Sequence, residues 1–180
     1  MDIIAIKGVR TESLRRFWKD WWPVQGFIMK QRGWLFLFIT GTEYFGTIGQ
    51  YAELISVVME KLVIYIRGKS GVVEDFTIYE RGIACPTSKV AGKHESWLIE
   101  NRLSLWGMSE QDQENINKLL TEFNGDTSGP ISYLDLSNTR LTRLAVAMFT
   151  AWKLPTVWSA YDVDKLPDLN AIAKSSEQAR

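Results

Sequence analysis

The sequence predicts a mixed α/β (α+β) protein: a ferredoxin-like first half ordered β-α-β-β-α-β, then further strands and helices that could extend the same sheet or form a second domain. Three observations carry this reading. Runs rich in Ile, Val and aromatics alternate with runs whose apolar residues recur at helical spacing. Gly and Pro punctuate the joins between them. The stretch QRGWLFLFI, residues 31–39, sorts its side chains by face: Trp34, Phe36 and Phe38 on one side of an extended strand, Leu35, Leu37 and Ile39 on the other.

The elements follow in order. DIIAIK, residues 2–7, is a short β-rich run ending at Gly8. Thr11 or Ser13 caps a helix through FWKDWW, stopped by Pro23 and Gly26. There Phe17, Trp18, Trp21 and Trp22 form a compact stripe that should be mostly core, any exposed remainder suiting a protein interface. Residues 27–30 form a short strand and 34–39 the strongest one, broken by Gly41. From 43 to 61, Tyr44, Ile48, Tyr51, Leu54, Ile55, Val58 and Met59 fall near helical spacing, with Gly46 and Gly49 weakening the first turns. LVIYI, residues 62–66, is a strand closed by Arg67 and Gly68.

Residues 69–71 mark the internal boundary, so the first half is 1–69, the second α/β half 70–166, and the polar tail 167–180. Strands are expected at 72–79 and 82–85 around a turn at 80–82, then a loop from 86 to 93. A helix is expected over 95–106, and a second from Ser109 to about Phe123 with Glu110 and Asp112 at its positive end. NGDTSGP is a loop, ISYLDL at 131–136 a buried strand, and 139–152 a periodic helix. A last strand is expected at 156–161.

Composition bounds the function. The 180 residues are 46% hydrophobic with eight Trp, eight Phe and six Tyr, enough for a substantial core. The 21 basic and 21 acidic residues balance, so no global field advertises a polyanionic partner. The first 69 residues carry ten Lys/Arg against six Asp/Glu (+4), leaving eleven against fifteen (−4) for the rest. Small excesses of this kind belong first to solvated faces, and the two halves can simply attract each other. A single cysteine, Cys85, allows no intrachain disulfide and points to a reducing compartment, the cytoplasm. The apolar-rich region 34–66 is interrupted by Glu43, Glu53, Glu60 and Lys61, which argues against a membrane span, and the N-terminal apolar run is short for a signal peptide.

The order over 1–69 is that of the split ferredoxin-like arrangement. Within it, RGWLFLFI resembles the first RNA-binding signature of RNA-recognition-motif domains: Arg32 and Gly33 match its start, and Trp34 and Phe36 stand at its aromatic positions. Leu35 stands where that family prefers Gly or Ala, Ile39 where it prefers an aromatic, and IIAIKG lacks the aromatic of the second signature. The resemblance implies bases stacked on Trp34 and Phe36, with Arg32, Lys30 and Lys7 supplying charge. The competing reading makes this face core beneath the Leu-, Trp- and Phe-rich remainder, and large aromatics favour it.

A second candidate is the passage YLDLSNTR from strand to helix. Ser137, Asn138 and Thr139, with Arg140 and Arg143 nearby, could hold a phosphate at a helix N-terminus, although the same residues suit plain capping. Asp135 inside the apolar run reads as a strand-end carboxylate held by loop amides or an arginine. No Gly-rich phosphate loop is present, and one His (His94) with one Cys gives neither a metal set nor an orientable triad. No catalytic residue, metal or cofactor is therefore assigned. The sequence points to a non-catalytic binding or adaptor protein engaging a protein partner or RNA through its N-terminal half. The alternative is a nucleotide-sensing α/β domain using the helix start at 137–143.

Overall fold

The computed structural model describes residues 2–14, 26–39, 48–69, 72–86, 102–125 and 133–154. The architecture is mixed α+β. Strands β1 (Asp2–Lys7), β2 (Gly26–Gln31), β3 (Trp34–Ile39), β4 (Leu62–Lys69), β5 (Val72–Glu80) and β6 (Ile83–Pro86) form one antiparallel sheet in the order β2-β3-β1-β4-β5-β6. Among the described residues the helices are α1 (Ile48–Met59), α2 (Glu110–Gly125) and α3 (Tyr133–Ala151), and Thr11–Leu14 is a helical turn. Contacts group the chain into two compact units. Among the described residues, one holds those from 2 to 65 with Tyr79–Ile83; the other holds Ile66–Ile78 with those from 84 to 154.

In the first unit, β3 pairs antiparallel with both β1 and β2, in a register that sets Ile4 and Ile28 against Leu37, and Ile6 against Leu35. Cross-strand partners share a face, so one side of the sheet is aliphatic. Onto it α1 lays Ile48, Ala52 and Ile55, all fully buried, in a cluster with Val63, Tyr65 and Tyr79. Each such Leu or Ile contributes roughly 1.5–3 kcal/mol through loss of contact with water. Asp2 is buried at the start of β1, where the Tyr65 hydroxyl donates to its Oδ1 at 2.6 Å. A buried carboxyl without such a donor would be costly.

Two hairpins share one turn chemistry. Arg32–Gly33 joins β2 to β3 with φ of 48° and 81°, and Arg81–Gly82 joins β5 to β6 with φ of 49° and 80°. Two-residue turns with both φ positive match the right-handed twist of the flanking strands. Glycine takes the second position without the Cβ clash, while the arginine tolerates αL at some cost.

In the second unit, the Thr142 hydroxyl of α3 accepts from the Val73 amide at 2.9 Å, tying the helix to β5. Trp152 donates its indole N–H to the Trp106 carbonyl at 3.2 Å, and its ring meets Phe149 edge-on at 6.4 Å. Ser109 caps α2 as the sequence predicts: its hydroxyl accepts from the Asp112 amide at 3.2 Å and donates to the Asp112 carboxylate at 2.5 Å.

Several expected boundaries are corrected. β4 runs through Arg67 and Gly68 to Lys69, because pairing beside β5 continues the extended backbone. β2 starts one residue before the expected strand, at Gly26. The segment 102–107 is a turn, not helix: the Met108 amide bonds the Leu103 carbonyl at 3.2 Å around Gly107 at φ 81°, a closure that stops helical winding. The largest change is at 133–136, expected as strand and found as the first turn of α3. Leu-rich YLDL has good helix formers and no β-branched residue, and no breaker separates it from the periodic run that follows. Asp135 is therefore a helical residue. The FWKDWW run, the loop with His94, most of the expected helix at 95–106, the strand at 156–161 and the polar tail lie outside the described residues.

Candidate functional site

The sheet's aromatic face is core. Trp34 is 3% exposed, and Phe36 and Phe38 are 0% exposed. The Phe36 and Phe38 rings stack 6.4 Å apart at 22°. A base needs an open ring face, and these rings offer none, so Trp34 and Phe36 are not a stacking platform in this fold. The physical reason is the driving force that makes the strand: rings of this size gain most when water is removed from both their faces.

The cations expected beside them are dispersed. Lys7 pairs across the sheet with Trp34 and holds its ammonium 5.9 Å from that ring's centroid; desolvation by burial lowers its pKa below the ordinary value. Lys30 is exposed but pairs with Leu35, so it rises on the aliphatic side. Arg32 is exposed in the β2–β3 turn. The expected recognition set does not converge.

The second candidate changes in kind. Ser137, Asn138, Thr139 and Arg140 lie inside α3, whose first residue is Tyr133, so they are not at a helix N-terminus with unpaired amides. Arg143 is exposed on the same helix. The phosphate-binding geometry expected at 137–143 is thus absent. Among the described residues no three His, Cys, Asp or Glu side chains are grouped to hold a metal ion, and no helix is long and apolar enough to cross a membrane.

A surface that the sequence reading passed over stands out instead. Val57 and Val58 on α1 are 49% and 57% exposed, and Ile83, directly after the β5–β6 turn, is 50% exposed. Val58 belongs to the apolar set at helical spacing, yet it lies off the buried side of this helix. The buried set is Ile48, Ala52, Ile55 and Ser56, which rotates the valine pair outward. The signal lay in the small residues Ala52 and Ser56, one turn apart and both on the buried side.

The turn is fastened to the helix here. The Gly82 amide donates to the Ser56 hydroxyl at 2.8 Å, and that hydroxyl donates to the Glu53 carbonyl at 2.8 Å. A Cβ on Gly82 would stand 2.5 Å from Val57 Cγ2, so turn and helix are in direct contact. Glu53, Glu60, Lys61 and Arg81 are exposed around the valines. The result is a small apolar surface on a fixed frame, rimmed by charges of both signs.

Comparison with protein-family models, curated proteins and solved structures finds no match for the chain.

Proposed function

We propose that this chain is a non-catalytic binding or adaptor protein, working in the cytoplasm, that engages a protein partner through the exposed side of α1 and the β5–β6 turn. The observation that carries the reading is the half-exposed pair Val57 and Val58 beside a turn hydrogen-bonded to the same helix, with half-exposed Ile83 next in sequence. Isolated surface valines mean little, but apolar residues grouped within a charged rim are the usual anatomy of a contact surface. A frame already held in place lowers the ordering cost of association.

We also read the first four strands as a ferredoxin-like unit. The neighbour order β2-β3-β1-β4, the antiparallel β1–β3 and β2–β3 pairs, and helical segments after β1 and β3 support it. The arrangement serves as scaffold here, since its aromatic face is occupied by packing. RNA is the weaker partner class because stacking rings and cations do not gather on an open face.

The test is site-specific photo-crosslinking in cells with the full chain. A photoreactive residue at position 58 or 83 should give a discrete protein adduct, and one at exposed Lys30 should not. Adducts to RNA, or none at either position, would refute the reading.

A further inference from the structure

We draw no further inference here: the strongest candidate, the outer edge of β2 at the end of the sheet with its half-buried Phe27 and Met29 and exposed Lys30, carries nothing because nothing in the structure shows what covers it.

Discussion

Phe36→Ala is the substitution that most directly separates core from recognition surface. Phe36 is 0% exposed, lies opposite Ala5 on β1 and Met29 on β2, and stacks on Phe38. Removing a buried ring loses its transfer free energy and leaves a cavity that rigid neighbouring strands cannot close, at about 3–5 kcal/mol. Against a total stability of about 5–15 kcal/mol, that is a large share. At roughly 2–4 °C per kcal/mol for a chain of this size, the melting temperature should fall by about 6–20 °C. Thermal and urea unfolding followed by circular dichroism measure this, with an unchanged urea m-value showing that the same surface unfolds. Leu37→Ala, on the opposite face of the same strand and also 0% exposed, should cost a comparable amount, about 2–5 kcal/mol. A Phe36→Ala protein that melts within about 2 °C of wild type yet loses a salt-sensitive RNA gel shift would refute the reasoning and reopen the aromatic face as a platform.

Two further outcomes are expected. Gly82→Ala should destabilise by about 1–2 kcal/mol from the positive φ alone, and by more because the new methyl must displace Val57; unfolding by urea checks it, and a neutral result would mean that the turn does not rest on the helix. Lys7→Met should change the pH profile. Burial lowers the Lys7 pKa below 10.5, so between the folded value and 10.5 the unfolded chain binds more protons, and wild-type stability relative to Lys7→Met should rise with pH across that window. Parallel stability profiles for the two proteins in alkaline buffer would count against a desolvated Lys7.

Much of the sheet was legible because strand information is local. Alternation along WLFLFI, the turn at 80–82 and the β-rich runs at 2–7, 62–66 and 72–79 each lie within a few residues, and each became a strand or turn near the expected place. ISYLDL was ambiguous for the opposite reason: a short apolar run carries too few periods to separate strand from helix, and only continuity with the helix that follows settles it. The exposure of Val58 was not legible either, since a helix with apolar residues on more than one side does not say which side docks.

The sequence by itself determined where the chain is extended, where it turns, and that a strand would carry rings on one face and branched alkyl groups on the other. Only the tertiary structure decided that both faces of that strand are buried, and that the valine pair of α1 remains in water. Alternation is a property of one backbone segment, but burial depends on what distant residues lay over it. A sequence of local preferences carries no direct record of that covering.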